Sequence, residues 1–298
     1  MNKPNERTSS FPAIGCCLTT GSFMPQSGNT EASQKDPADV LLAGINGLLQ
    51  SGYDFAELTV GALAQLSEDE FERLQSKLKE EGIAIPVFNS FIPPALKLTG
   101  PETQPQAIEE YVAKAMKRIH EVGGEMIIFG SGGARTVPEG YAVEQGLQQI
   151  KDFLTLCDRY ADQYDLIVAI EPLNRKESNV INKVEEALDI ALELNLRHIQ
   201  VLADAYHMHL EQESPEIVKR AVESNLLAHV HYAEFDRSFP SGTEDTGVDL
   251  RGLFTFLRDC GYQGRVSAEC MGENVMVHNQ ASLRYVRNLL VQLHERGE

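Results

Sequence analysis

No apolar run in this 298-residue chain approaches the ~20 residues that a membrane-spanning helix needs. Transmembrane classes are therefore set aside, and a hydrophobic content of 42% is ordinary for a globular protein. The five cysteines contain no C-x-x-C pair, which suits reduced thiols better than a disulfide framework. The first residues, MNKPNERTSS, lack the apolar core and cleavage site of a secretory leader, so the sequence reads as cytoplasmic. Positive charge is scarce: 26 Lys and Arg stand against 44 Asp and Glu, for a net charge of −18 with no basic run. Such a surface repels a phosphate backbone, which excludes nucleic acid as an expected partner. One glycine cluster, FGSGGARTVPEG at 129–140, matches neither G-x-G-x-x-G nor the P-loop, so nucleotide binding is not expected.

What the chain does contain is alternation. Short β-rich runs recur between longer amphipathic stretches, the pattern of a parallel sheet with crossover helices. The strand candidates are PAIGCCL (12–18), DFAELTV (54–60), IAIPVFN (83–89), EMIIFG (125–130), LIVAIE (166–171), HIQVLAD (198–204), LLAHVHY (226–232) and GRVSAE (264–269). Helical patterns such as EDEFERLQSKLKEE, AIEEYVAKAMKRIHEV and VEEALDIALEL separate them. Eight such units predict an α/β protein, a (β/α)8 TIM barrel forming a single domain over 1–298 with 1–10 flexible; a doubly wound open sheet is the alternative. Links from helix to strand are short, as in SGYD, EGI, VGGE and GYQG, whereas those from strand to helix are long and polar. In a barrel the long ones all emerge on the C-terminal face, where active sites are built.

At that face the apolar strands end on chemistry. Glu171 ends the fifth strand candidate, Asp204 the sixth and Glu269 the eighth, with His231 near the end of the seventh. Each alone has a bland reading, as a rim ion pair or a core histidine. Together, three carboxylates converging on one rim repel unless a cation sits among them. Oxygen-rich ligation with one imidazole suits a single divalent ion, Mn²⁺, Mg²⁺ or Co²⁺, and does not exclude Zn²⁺.

The segments EPLNRKESN, LADAYHM, HVHYAEFDR and GYQGRVSAE resemble the xylose isomerase-like sugar isomerase and epimerase superfamily. Within it the pattern is similar to ketose 3-epimerases and to hydroxypyruvate isomerase. The resemblance runs best from about 165 to 270. It implies metal ligands at Glu171, Asp204, His231 and Glu269 and substrate contacts at Glu177, His207 and Arg237; with an ion held there, Glu171 and Glu269, from strands far apart around the rim, would flank the substrate as catalytic acid and base. It further implies a small carbohydrate substrate, a ketose, hydroxy-ketone or sugar phosphate, turned over by proton transfer through an enediolate, in a homodimer or homotetramer. The loop between His231 and Glu269 is longer than the ketose epimerase pattern, and LAD replaces a more usual Leu-Leu-Asp or Leu-Val-Asp; both bear on substrate rather than metal. Dehydratases of the inosose or dehydroshikimate type share such a site, and a non-catalytic sugar-binding barrel is the reading from another class. The zinc endonuclease branch fits poorly, because no histidine precedes His120.

Four further positions stay open. Arg135 either faces the pocket, contacting a substrate hydroxyl or phosphate, or makes a structural salt bridge. Glu57 either reaches the barrel mouth or packs at its rim. His229 shares the inward face of His231, as an outer partner of the site or, more simply, a core histidine. The polar stretch at 20–39 is a lid or a mobile loop.

Overall fold

The computed structural model describes residues 11–18, 36–242, 247–271 and 275–295. Its strands are β1 (Ala13–Leu18), β2 (Phe55–Thr59), β3 (Val87–Asn89), β4 (Met126–Phe129), β5 (Ile167–Ile170), β6 (Ile199–Asp204), β7 (Leu227–Tyr232) and β8 (Arg265–Ala268). Each pairs in parallel with its sequence neighbour, and β8 pairs back onto β1 through Ala13 opposite Arg265, which closes the barrel. The open-sheet alternative is thereby excluded. Residues 1–10 and most of the stretch at 20–39 lie outside the described residues; Asp36 caps the helix Pro37–Gln50 by accepting from the Ala38 N–H.

The third strand is shorter than its apolar run, 83–89, suggests. Pro86 has no N–H to give to a ladder, so regular pairing begins at Val87, while the Pro86 carbonyl accepts from the N–H groups of Glu125 and Met126. Helix boundaries follow capping chemistry. Glu68–Glu81 opens on a capping box, in which Ser67 accepts from the Glu70 N–H and the Glu70 carboxylate accepts from the Ser67 N–H, and closes on Gly82 at φ 68°. Phe71, Leu74 and Leu78 form its buried face.

Two apolar clusters result. The larger lies between the strands and the surrounding helices. The smaller plugs the barrel with Phe55, Val87, Met126, Ile128, Ala169 and Leu202 among its members. Gly15 is needed for that plug, since a Cβ there would lie 2.2 Å from the Phe55 ring. No helix among the described residues is long and apolar enough to cross a membrane, and all five cysteines are free thiols.

Arg118 shows how the fold handles a buried charge outside the site. It is 3% exposed and donates to the carbonyls of Leu63, at 3.0 Å, and Leu66, at 2.7 Å, where the helix Val60–Ala64 ends. Its guanidinium also lies over the Phe71 ring and pairs with the solvent-facing Glu68. Replacing Arg118 by Met strands those carbonyls and should cost about 2–4 kcal/mol in urea unfolding, whereas Glu68→Ala should cost far less. A larger loss for Glu68→Ala than for Arg118→Met would contradict this account.

Candidate metal centre

The strand ends bring the expected four together. Asp204 is the last residue of β6 and His231 the penultimate residue of β7, while Glu171 and Glu269 each stand one residue past β5 and β8. Those two still follow the ladder, their N–H groups donating to the carbonyls of Phe129 and Tyr232, each at 3.1 Å. One ligand atom from each of Glu171, Asp204, His231 and Glu269 falls within 4.8 Å of every other. The first three are buried, and Glu269 is partly open to a cavity of about 480 Å³. A hard, oxygen-rich donor set with one imidazole, crowded this closely, fits a divalent ion.

Arg237 brings positive charge among these carboxylates. It sits in left-handed backbone at φ 66° in the loop after β7, and its Nη1 donates to Asp204 Oδ2 at 2.9 Å and to Glu269 Oε2 at 2.6 Å. Its guanidinium stacks on Tyr206, 4.1 Å from the ring centre. The charges divide the two glutamates. Burial opposes ionisation of Glu269, but Arg237 and His231 outweigh it and bring its pKa down to about 2. Burial and the neighbouring charge of Glu269 raise that of Glu171. Adjacent carboxyls pushed apart in this way are suited to opposite acid and base roles.

The residues expected to contact substrate line the same cavity. Glu177 accepts from Asn174 Nδ2 at 2.7 Å, and His207 Nδ1 accepts from the Asn174 backbone N–H at 3.1 Å. On the other side of the ring His207 Nε2 lies 2.8 Å from Arg237 Nη2, which can only donate. Donors therefore face both ring nitrogens of His207, the Asn174 N–H at Nδ1 and Arg237 at Nε2. Ile92, Pro93, Pro94, Leu173 and Met271 give the cavity an apolar side.

Arg135 corrects the sequence reading. It neither lines this cavity nor makes a salt bridge within 4.0 Å among the described residues: fully buried, it donates to the carbonyls of Phe129, at 3.1 Å, and Ile181, at 3.2 Å. Burial, opposed by Glu171 and Glu177, lowers its pKa to about 10. Its job is to tie the end of β4 to the loop after β5, because the short helix Gly132–Arg135 turns the side chain inward. The glycines beside it serve space rather than phosphate. A Cβ on Gly130 would lie 2.3 Å from Glu171 Oε2, and one on Gly132 would lie 2.6 Å from the Glu177 carbonyl.

Sequence reasoning left Glu57 and His229 undecided. The structure buries both completely beneath His231, with Glu57 Oε1 at 3.0 Å from His231 Nε2 and Glu57 Oε2 at 3.2 Å from His229 Nε2. A carboxylate in the middle of an otherwise apolar strand, DFAEL, was the available signal.

Gly130→Ala tests the packing around Glu171. It should preserve the circular dichroism spectrum and weaken Mn²⁺ binding by roughly tenfold or more, the scale seen when a supporting contact at a metal site is lost. Unaltered binding would show that Glu171 can sit elsewhere.

Comparisons with known proteins follow the geometry. Over 167 residues the chain is 31% identical to the 3-dehydro-D-guloside 4-epimerase of Escherichia coli K12, a match covering 53% of this chain and 61% of that protein. A D-psicose 3-epimerase of Ruminiclostridium cellulolyticum is 23% identical over 251 residues, covering 78% of this chain and 80% of the relative. Among solved structures, a D-allulose 3-epimerase from Methylomonas sp. superposes with a TM-score of 0.76 at 18% identity, covering 94% of this chain and 98% of that one. At that identity the likeness speaks for the fold. Residues 47–290 match the family described as xylose isomerase-like TIM barrel. Family match, closed eight-stranded barrel and rim-centred site agree: this chain belongs to the xylose isomerase-like TIM barrel family.

Proposed function

We propose that this protein is a divalent-metal-dependent epimerase or isomerase of a ketose or related keto-sugar. The observation that carries the reading is the pairing of Glu171 and Glu269, two cavity-lining carboxyls at the ends of strands five and eight that belong to one four-residue ligand cluster. Relatives matched along the chain are named as epimerases of 3-dehydro-D-guloside and of D-psicose, which supports that class of reaction.

Glu171, Asp204, His231 and Glu269 would hold the ion. When bound there, Mn²⁺, Mg²⁺ or Co²⁺, or Zn²⁺ as a further candidate, supplies Lewis-acid polarisation of a carbonyl. The residues do the rest. One of Glu171 and Glu269 takes the proton from the carbon beside the substrate carbonyl. The substrate passes through an enediolate, and the other carboxyl of the pair returns a proton. Return to the opposite face of the same carbon is epimerisation; one carboxyl carrying the proton between neighbouring carbons gives aldose–ketose isomerisation. His207 and Arg237 line the cavity as contacts for substrate oxygens, and Glu177 accepts from a hydroxyl. The free thiols suit a reducing compartment such as the cytoplasm.

The test is deuterium wash-in from heavy water over a panel of ketoses, hydroxy-ketones and keto-glycosides, with Mn²⁺ added and chelated before NMR. Exchange at the carbon beside the carbonyl is expected, and it should vanish in an EDTA control. A signal at C3 of a ketose identifies an epimerase, one at C1 an isomerase, and loss of water a dehydratase of the same fold. Metal binding without exchange on any compound would overturn the catalytic reading in favour of a sugar-binding barrel. Glu171→Gln and Glu269→Gln should each keep the fold and lose about 100-fold or more in rate, the usual scale for a general acid or base. A fully active variant of either would remove that residue from the mechanism.

A further inference from the structure

Glu57 is a carboxylate with no exposed surface, on a strand whose other residues are apolar or at its end. Burying such a charge costs several kcal/mol unless donors surround it. It does not line the cavity, so substrate does not explain it. Its partners do. Oε1 accepts from Asn89 Nδ2 at 2.9 Å and lies 3.0 Å from His231 Nε2, while Oε2 lies 3.2 Å from His229 Nε2, itself 3.0 Å from Ser267 Oγ. Holding this network buries two atoms without a partner, Asn89 Oδ1 and His229 Nδ1. A purely structural layer would be better served by apolar side chains filling the same space. The cost points to function.

His231 shows what the function is. One ring nitrogen, Nε2, faces Glu57; the other, Nδ1, lies 3.3 Å from Glu171 Oε1 and 3.5 Å from Glu269 Oε2, on the side of the ligand cluster. Glu57 is an acceptor only, so a neutral imidazole satisfies it by keeping its proton on Nε2. In the metal-loaded protein the Nδ1 lone pair then points among the carboxylates, at the ion they hold. We propose that Glu57 is the positioning residue of the metal centre: its carboxylate fixes the Nε2–H form and the ring orientation of His231, and so makes Nδ1 the ligating atom. This rests on the metal reading above. It also chooses between two groups of donors. Cys17, Glu57 and His231 likewise have atoms within 4.8 Å of one another, but an Nε2 that carries the proton shared with Glu57 cannot also bind an ion there. A carboxylate behind a ligating histidine commonly orients the ring and raises its basicity.

Two measurements on the full chain test the proposal. The first is titration of the metal-free protein with Mn²⁺, followed by electron paramagnetic resonance, for wild type and Glu57→Gln; the variant should bind about 10–100-fold more weakly. The second needs no variant: long-range ¹H–¹⁵N correlation of histidine-labelled wild type loaded with Zn²⁺. There His231 Nε2 should carry the proton and Nδ1 the shift caused by the metal. A metal-shifted Nε2 would place the ion among Cys17, Glu57 and His231 and overturn the proposal, even if Glu57→Gln fails to fold. Equal Mn²⁺ affinities for wild type and a folded Glu57→Gln would overturn it while leaving the metal reading intact. A wild type that binds neither ion would overturn both.

Discussion

Three carboxylates brought to the rim of one barrel set the constraint on which the rest of this site depends. Their ligand atoms share a region 4.8 Å across with those of His231, and like charges at that separation cannot all remain ionised without positive charge nearby. The chain answers with two basic groups and a carboxylate that orients one of them. Arg237 bridges Asp204 and Glu269 at the cavity wall, His231 stands between Glu171 and Glu269, and Glu57 steadies His231 from beneath. A divalent ion would complete the compensation with a charge the side chains do not supply.

The barrel makes this crowding tolerable because it separates rigidity from chemistry. An apolar plug led by Phe55, Met126 and Leu202 fills the lower interior, and a polar layer of Glu57, His229 and Ser267 lies above it, under the ligands. Side chains rooted in paired strands lose little further freedom when they act, which is the advantage of building a site on strand ends. The loops add what the strands cannot reach. Arg237 needs the left-handed turn after β7 to fold back over Asp204, and Glu177 is held by Asn174 in the loop after β5.

The cavity also shows a tension of its own. Both ring nitrogens of His207 face donors, Nδ1 the Asn174 N–H at 3.1 Å and Nε2 Arg237 Nη2 at 2.8 Å, and a neutral imidazole accepts at only one of them. Misfits of this kind are more informative than well-satisfied contacts, because a folded chain retains them where a ligand is expected to resolve them.

The barrel was legible from local order alone. Apolar strands, amphipathic helices and short links before each strand are properties of neighbouring residues, and a (β/α)8 closure is the arrangement that uses all of them. Glu171, Asp204, His231 and Glu269 stood out for the same reason, each ending an apolar run whose direction puts it at one face. Arg135 and Glu57 did not submit to this logic. Whether Arg135 meets the cavity or the backbone depends on one short turn after β4, and the histidine partners of Glu57 stand 172 and 174 residues away on β7. The sequence by itself determined which elements form and which strand ends carry chemistry, since those follow from period and position; only barrel closure decided which side chains meet across the interior, because those contacts join residues that no local pattern relates.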